Sequence, residues 1–256
     1  MTKNVAILIS GGGTTAEATI KAAKNGQLGD VNLFVISSNP QAAGNTRVKN
    51  LGITPFVLDK ENLKKEEFDK KLFDLLDELK IDIITLQGWL LLISPEIVKK
   101  YKGNIFNQHP GPMDPGKPDF GGPGMSTPYR VNSALLAYVW VTGEKISAES
   151  DTHFVTEEFD MGDLIRIEQM QIPKKEKLTT IDEIKKNPQE LIDATHMVQK
   201  EFYPVEHQNV IATLKMFING KAKGFKRQKP LIQEKYINVL DEAKKLAMEL
   251  FPKYNL

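Results

Sequence analysis

The chain has 256 residues, of which 41% are hydrophobic and 26% are charged, a composition typical of an ordinary globular protein. Its 34 Lys and Arg residues almost balance 33 Asp and Glu residues, so we expect no nucleic-acid partner held by excess positive charge. The absence of cysteine excludes disulfides, thiolate metal sites and a cysteine nucleophile, and it fits a reducing compartment. The apolar stretch near the N-terminus is shorter than a secretory signal, and the uncharged run Ile83–Pro95 is too short to span a bilayer. We therefore expect a cytoplasmic protein with no membrane partner.

The first half of the chain alternates apolar strands with helical segments. Short apolar runs predict buried strands at Val5–Ile9, Val31–Ile36, Pro55–Leu58, Ile81–Leu86 and Ile105–His109. Helices are predicted after the first strand, within Lys60–Lys80, and from Ser94-Pro95 onwards, where proline occupies the first helical position. This alternation indicates βαβ units, so we predict an α/β fold with a doubly wound, Rossmann-like and mostly parallel sheet.

The second half of the chain changes character after a helix predicted over Tyr129–Thr142. The segments Thr152–Thr156 and Leu164–Ile172 predict a β-hairpin extension of the sheet, and the residues beyond it are mostly helical. A basic linker then precedes a last amphipathic helix, roughly Leu231–Leu250. We therefore divide the chain into a main domain of residues 1–222 and a linker with a helical C-terminal extension, residues 223–256.

A loop rich in glycine and proline, Gly111–Pro128, separates the fifth strand from the next helix. Its composition forbids a helix and predicts a structured loop at the strand end, where open α/β sheets bind ligands. Two interpretations are open. Phe120 could close over substrate as part of a lid, or the loop could pack on a neighbouring subunit or on the C-terminal helix.

Asn107 and His109 lie just before this loop, at positions i and i+2 of the fifth strand, so their side chains point to the same side. An amide donor beside an imidazole suits a site that stabilises an oxyanion. The alternative is that both residues merely cap the end of the strand.

The hairpin segment contains five acidic residues and a histidine. Alternation places Asp151, His153 and Val155 on one face, so a metal site that includes His109 is one alternative. The interpretation that we favour needs no metal: one carboxylate near His109 orients the ring and raises its pKa, which makes it a cationic donor.

The segment Ser10–Ala16 contains the G-x-G-x-x-A pattern of dinucleotide-binding turns. The second strand, however, ends in Ser37-Ser38-Asn39-Pro40, with no acid to hold a ribose diol. A single phosphate bound by backbone N–H groups at the helix N-terminus, with help from the Thr14 and Thr15 hydroxyls, is the better interpretation. The alternative is that the glycines only allow tight packing of strand and helix.

Five segments in this order resemble the 10-formyltetrahydrofolate-dependent glycinamide ribonucleotide (GAR) formyltransferases: VAILISGGGTT, QGWLLLISP, FNQHPGP, THFVTEEFDMGDLI and EHQNVIATLKMFINGK. The resemblance covers roughly residues 4–222. Its most specific part is N-x-H-P followed by H-F-V-T-x-x-x-D-x-G, which marks the wider group of folate-dependent formyltransferases and deformylases. It implies transfer of a formyl group from the co-substrate 10-formyltetrahydrofolate to the primary amine of GAR, without a metal.

The resemblance also implies roles for individual residues. Asn107, His109 and Asp160 would be the catalytic amide, imidazole and carboxylate. The ribonucleotide would be bound by Gly12, Gly13, Thr14, Thr15, Pro110 and Glu206. The folate would be bound by Leu90, Leu91, Leu92, Ile93, Thr156, Glu157 and Glu158.

The chain departs from the family pattern in the loop after His109, where Gly111-Pro112 replaces a usual Ser-Leu, and at Leu91, where the family often has Arg. A formyltetrahydrofolate deformylase, a formyltransferase for another amine and a non-catalytic folate- or nucleotide-binding module are therefore the alternatives. A deformylase would not require a phosphate site at residues 13–15. We expect small-molecule substrates and a monomer or homodimer.

Overall fold

A computed structural model of the chain describes residues 2–125 and 127–252. Its strands are Lys3–Ile9 (β1), Val31–Ser37 (β2), Phe56–Val57 (β3), Ile83–Leu86 (β4), Ile105–His109 (β5), Ala148–Phe154 (β6) and Leu164–Met170 (β7). Its α-helices are Thr14–Lys24 (α1), Ala43–Asn50 (α2), Lys65–Glu78 (α3), Pro95–Lys100 (α4), Pro128–Thr142 (α5), Ile181–Lys186 (α6), Gln189–Ile218 (α7) and Ile237–Leu250 (α8). One residue of the predicted Gly/Pro-rich loop, Ser126, and the ends of the two predicted domains, Met1 and residues 253–256, lie outside the described residues.

The strands form one sheet in the order β3-β2-β1-β4-β5-β6-β7. Strands β1 to β5 pair in parallel, whereas β6 and β7 are antiparallel to their neighbours. The predicted mostly parallel α/β sheet with a hairpin extension is confirmed. The order of strands reverses between β1 and β4, and such a reversal opens a crevice at the carboxyl ends of the strands.

Helices cover both faces of the sheet, as expected for a doubly wound fold. Alternate residues of β1 pack on opposite faces of the sheet, because successive side chains of a strand point to opposite sides. Leu8 belongs to the apolar cluster that contains Leu72 of α3, and Ile7 belongs to the cluster that contains Ile20 of α1. None of the described helices is both long and apolar enough to cross a bilayer.

Strand β3 differs from the prediction of a buried strand at Pro55–Leu58. Phe56 and Val57 are 39% and 43% exposed, and they pair only with Ile36 and Ser37 of β2. The reason is position: β3 is the outermost strand of the sheet. A local apolar run does not tell a central strand from an edge strand.

The region beyond residue 222 packs against the rest of the protein. The apolar face of α8, with Leu240 and Leu246, joins the core cluster that contains Tyr138 of α5. Phe225 forms a β-bridge with Leu164 at the start of β7. The helical C-terminal region is as predicted, while the division of the chain at residue 222 stays a prediction.

The lid interpretation of the Gly/Pro-rich loop is wrong for Phe120. This ring is completely buried and packs edge-on against Tyr138, with 5.7 Å between ring centroids, so it belongs to the core and not to a mobile cover. The other interpretation holds: the loop packs on the C-terminal helix. The Nζ of Lys244 in α8 donates to the carbonyl oxygens of Asp119 and Gly121, at 2.8 and 2.9 Å.

Candidate active site

A cavity of about 440 Å³ opens at the carboxyl ends of β4 and β5, beside the reversal of strand order. Four segments provide most of its lining: residues 88–93 after β4, residues 107–110 at the end of β5, residues 122–125 of the Gly/Pro-rich loop, and residues from His153 to Asp160 at and after the end of β6. The volume suits a small organic ligand. Two of these segments carry the polar groups that the sequence singled out.

The carboxylate of Asp160 is the centre of the polar cluster in this cavity. Its Oδ2 accepts the backbone N–H of Gly122 at 2.9 Å, and its Oδ1 accepts from Asn107 Nδ2 at 3.2 Å. The Nε2 atoms of His153 and His109 lie 3.5 Å from Oδ1 and 3.9 Å from Oδ2. Burial alone would raise the pKa of Asp160, but the two imidazoles, whenever they carry an extra proton, and the Gly122 N–H hold it below its ordinary value. We therefore treat Asp160 as ionised.

The backbone at Asp160 adopts φ 57°, in the left-handed region that few residues other than glycine occupy. Aspartate tolerates this conformation better than most residues, yet it still costs free energy. The hydrogen bonds to Gly122 and Asn107 are available to offset that cost. Strain at a site residue fits a functional role for this position.

His109 is buried and presents one free ring nitrogen to Asp160. Its Nδ1 lies 2.9 Å from the carbonyl oxygen of Gly111, which assigns the proton to Nδ1. Its Nε2 has no hydrogen-bond partner among the described residues. Burial lowers the pKa of His109, and the opposing effects of Asp160 and the Gly111 bond are smaller. The prediction of a cationic His109 in the free protein is therefore wrong, because desolvation of the ring outweighs a carboxylate that does not touch it.

His153 fixes the orientation of the Asn107 amide. Its Nδ1–H donates to the carbonyl oxygen of Phe154 at 2.9 Å, which leaves Nε2 as an acceptor for Asn107 Nδ2 at 3.1 Å. The same Nδ2 group donates to Asp160, so both amide protons are held on this side. From the sequence, His153 is considered only as part of an alternative metal site, and this role is missed, although the residue stands in the H-F-V-T motif.

The alternative metal site is not formed, because its residues point to different partners. Asp151 is fully buried; its Oδ2 accepts the backbone N–H of Met113 at 3.0 Å and pairs with Arg227 at 3.2 Å. His153 contacts Asn107 instead. Across residues 2–125 and 127–252, no group of three potential ligands is arranged to hold a metal ion.

Gly121 lies against both His109 and Asp160. A Cβ added to Gly121 would lie 2.8 Å from both His109 Nε2 and Asp160 Oδ2. The loop backbone therefore closes the site on this side. The sequence gives no local signal for this contact, since only the fold of the loop brings residues 121 and 122 against Asp160.

The glycine turn after β1 has the features of a phosphate site. Gly13 precedes α1 with φ 69°, and an added Cβ would lie 2.7 Å from the Cα of Gly44, so both conformation and space demand glycine. No side chain caps α1, which leaves its first N–H groups facing outward. The turn adjoins the cavity wall, because Ser10 accepts the N–H of Leu90 at 3.0 Å. Residues 12–15 themselves lie outside the described lining.

Most of the predicted folate residues and Pro110 line the cavity: Leu90, Leu91, Leu92, Ile93, Thr156 and Glu158. Besides residues 12–15, two predicted substrate contacts do not line it, namely Glu157 and Glu206. Glu206 is only 3% exposed, and its carboxylate accepts from Gln108 Nε2 and Gln199 Nε2, both at 3.2 Å. Burial raises its pKa to about 7.

The position of Glu206 follows from the alternation of β5. Gln108 points to the face opposite Asn107 and His109, and Glu206 on α7 meets it there. The structure therefore gives Glu206 no direct access to the cavity. The motif match identified the position of Glu206 in the sequence but could not predict that its side chain is buried.

The fold and the site together define an α/β protein with a largely buried Asn–His–Asp cluster in a ligand-sized cavity at the switch point of the sheet. The sequence model of the formyl transferase family matches residues 3–195, about three quarters of the chain. The chain belongs to the formyl transferase family, as its motifs predict.

Individual relatives agree with this assignment. The chain is 30% identical over 164 residues to the phosphoribosylglycinamide formyltransferase of Haemophilus influenzae, an alignment that covers 64% of this chain and 70% of that protein. It is 32% identical over 180 residues to the trifunctional purine biosynthetic protein adenosine-3 of Gallus gallus, covering 70% of this chain. The chain spans only 16% of the length of that trifunctional relative.

Solved structures agree as well. A phosphoribosylglycinamide formyltransferase from Bacillus halodurans superposes with a TM-score of 0.62 and 28% identity, covering 84% of this chain and 95% of the other. The corresponding protein from Brucella melitensis gives a TM-score of 0.65 at 24% identity, covering 88% and 100%, and supports the fold alone.

Proposed function

We propose that the chain transfers the formyl group of 10-formyltetrahydrofolate to the primary amine of GAR. The observation that carries the proposal is the largely buried cluster: a neutral His109 whose Nε2 has no hydrogen-bond partner among the described residues, an ionised Asp160 at 3.9 Å, and the Asn107 amide beside them. The choice of acceptor is supported by the names of the relatives, which act on phosphoribosylglycinamide.

In the proposed reaction the amine nitrogen of GAR attacks the formyl carbon, and a tetrahedral oxyanion forms. His109 Nε2 takes a proton from the attacking nitrogen, and Asp160 stabilises the resulting imidazolium. Asn107 donates to the oxyanion once one of its two present hydrogen bonds opens. The bond from carbon to the folate nitrogen then breaks, and His109 returns the proton to that leaving nitrogen. Every proton is accounted for, and the chemistry requires no metal.

The two substrates are assigned to different parts of the site. We assign the folate to the apolar wall of residues 90–93, with Thr156 and Glu158 at its edge. We assign the phosphate of GAR to the uncapped N-terminus of α1 at residues 12–15, with Pro110 between the phosphate and the reacting amine. In this arrangement Glu206 acts only through Gln108.

The decisive experiment incubates the protein with 10-formyltetrahydrofolate in the presence and absence of GAR, and identifies the formylated product by mass spectrometry. The expected product is formyl-GAR, formed only when GAR is present. Equal release of formate without GAR identifies a deformylase, and no turnover of either kind identifies a binding module. Inorganic phosphate should compete with GAR and not with the folate, because only GAR uses the α1 turn. A cytoplasmic location and a monomeric or homodimeric state stay predictions.

A further inference from the structure

The side chain of Lys244 connects the C-terminal helix α8 to the loop beside the proposed active site. Its Nζ donates to the carbonyl oxygens of Asp119 and Gly121 at 2.8 and 2.9 Å. Lys244 lies beyond residues 3–195, the part of the chain that matches the formyl transferase family.

The peptide group between Gly121 and Gly122 connects Lys244 to Asp160. Its carbonyl oxygen accepts from Lys244 Nζ, and its N–H donates to Asp160 Oδ2 at 2.9 Å. A cation and an anion thus hold the two ends of one peptide dipole. Hydrogen bonds in such a chain polarise and strengthen one another, and bonds to charged groups are the stronger kind.

The same peptide sits against the reacting groups. A Cβ on Gly121 would meet both His109 Nε2 and Asp160 Oδ2 at 2.8 Å, so any shift of this backbone changes the space between the two side chains. Asp160 also stands in a strained conformation, with φ 57°, that its contacts must hold. The position of the peptide therefore decides where the carboxylate lies relative to His109.

The platform that carries Lys244 is rigidly packed. On α8, the neighbours Ala243, Leu246 and Ala247 are all buried in the core cluster shared with α5. Arg130 at the start of α5 donates to the carbonyl oxygen of Phe251, just after α8, at 2.8 Å. Lys244 is half-buried, and burial lowers its pKa from the ordinary value, while the carboxylates of Asp241, Asp119 and Asp160 around it act in the opposite direction and favour its charged form.

We infer that Lys244 is a positioning residue of the active site: it holds the Gly121–Gly122 peptide so that Gly122 N–H fixes the Asp160 carboxylate opposite His109. Its kinetic consequence rests on the proposed formyl transfer. The structural contact between Lys244 and the peptide does not depend on that reaction, and hydrogen exchange of the Gly122 amide measures it separately.

The kinetic test compares three variants. Lys244→Met removes the donors but keeps the length of the side chain, Lys244→Arg keeps the charge, and Lys245→Met is the matched control on the exposed side of α8. Because misplacement of a catalytic group by about 1 Å can cost a hundredfold, we expect Lys244→Met to lower kcat at least about tenfold, with KM for both substrates changed less than about threefold. Lys244→Arg should recover most of kcat, and Lys245→Met should match the wild type.

A Lys244→Met variant with wild-type kcat, or one that raises only KM, overturns the inference. So does a Lys244→Arg variant no more active than Lys244→Met, because the cation would then not be what positions the peptide. If Lys244→Met does not fold, Lys244→Gln replaces it, because its shorter and uncharged side chain also removes the cation, and the same loss of kcat is expected.

Amide hydrogen exchange at Gly122 separates this inference from the proposed function. Lys244→Met should speed exchange of the Gly122 N–H by about tenfold, whereas Lys245→Met should not. Unchanged exchange in Lys244→Met overturns the inference whatever the enzyme does. Failure of the wild-type protein to make formyl-GAR overturns the proposed function, and faster Gly122 exchange in Lys244→Met would still support the positioning contact.

Discussion

His109 Nε2 and Asp160 Oδ2 lie 3.9 Å apart in a buried site, too far for a hydrogen bond and close enough for a strong electrostatic interaction. Burial keeps the ring neutral while the carboxylate stays ionised. When His109 Nε2 binds a proton, the negative charge of Asp160 therefore stabilises the imidazolium. This separation suits a general base that must bind a proton briefly and release it again.

Replacing Asp160 by Asn removes that countercharge and should lower kcat for formyl transfer by roughly 10²–10⁴, as should Asn107→Ala and His109→Ala. The matched control is Asp163→Asn, because the Asp163 side chain is half exposed and, among the described residues, forms a long ion pair with Lys226 at 3.8 Å. Steady-state kinetics with circular dichroism of each variant checks the result. Equal kcat in Asp160→Asn and Asp163→Asn would rule out the assigned role.

The ring of His109 should titrate below its ordinary pKa of 6.5, because burial disfavours its charged form. NMR titration of the imidazole measures this directly. Asp160 opposes the effect of burial, so Asp160→Asn should lower the pKa of His109 further, while Asp163→Asn should leave it unchanged.

The same titration affects stability in a defined direction. The folded state binds the His109 proton less tightly than the unfolded chain does, so this group destabilises the fold as the pH falls below 6.5. A measured pKa above 6.5 in the free protein would contradict the neutral base.

Adding one methyl group at Gly121 should disable the site without unfolding the protein. The Cβ of Gly121→Ala would press on His109 Nε2 and Asp160 Oδ2 from 2.8 Å, and the two groups must move apart. We expect kcat to fall by about tenfold or more. Gly116→Ala is the control in the same loop, where the space around the new Cβ is open but φ is 78°, so it should cost only about 1 kcal/mol of stability. Equal kcat for the two variants would show that the contact at Gly121 is unimportant.

Phe120 should contribute stability and not closure of the site. Its ring is fully buried against Tyr138, so Phe120→Ala should lower the free energy of unfolding by about 3–5 kcal/mol, as core aromatic truncations do. Chemical denaturation measures this, and Phe225→Ala, at a position that is 42% exposed, is the control. A Phe120→Ala protein with wild-type stability but a raised KM would support the interpretation of Phe120 as part of a lid.

Glu206 should make the fold less stable as the pH rises. Its pKa is about 7 in the folded state against 4.5 for a free glutamate, so the folded state holds the proton more tightly. The stabilisation is complete below about pH 4.5 and is lost as the pH rises through about 7, by up to about 3 kcal/mol. Unfolding curves between pH 5 and pH 8 should show this loss in the wild type and not in Glu206→Gln. The same slope in both proteins would assign the effect to another group.

The local pattern of the sequence was sufficient to predict the main strands and helices of this protein and its family. The apolar runs at Val5–Ile9 and Ile105–His109 are recognisable because a buried strand needs apolar residues on both faces, and Ser94-Pro95 marks a helix start by its own chemistry. The N-x-H-P and H-F-V-T motifs identified the family for the same reason: their residues are neighbours in the chain. Asn107 and His109 could be placed on one side of a strand from their spacing alone.

The tertiary structure decided what depends on contacts between distant segments. Burial made Glu206 a core residue and kept His109 neutral, and burial is a property of the whole fold that no local pattern records. The exposure of β3 came from its place at the edge of the sheet. The Gly121–Gly122 peptide joins α8 to Asp160 only because the loop, the hairpin and the C-terminal helix come together there. These segments are far apart in the sequence, so no local sequence pattern predicts their contact.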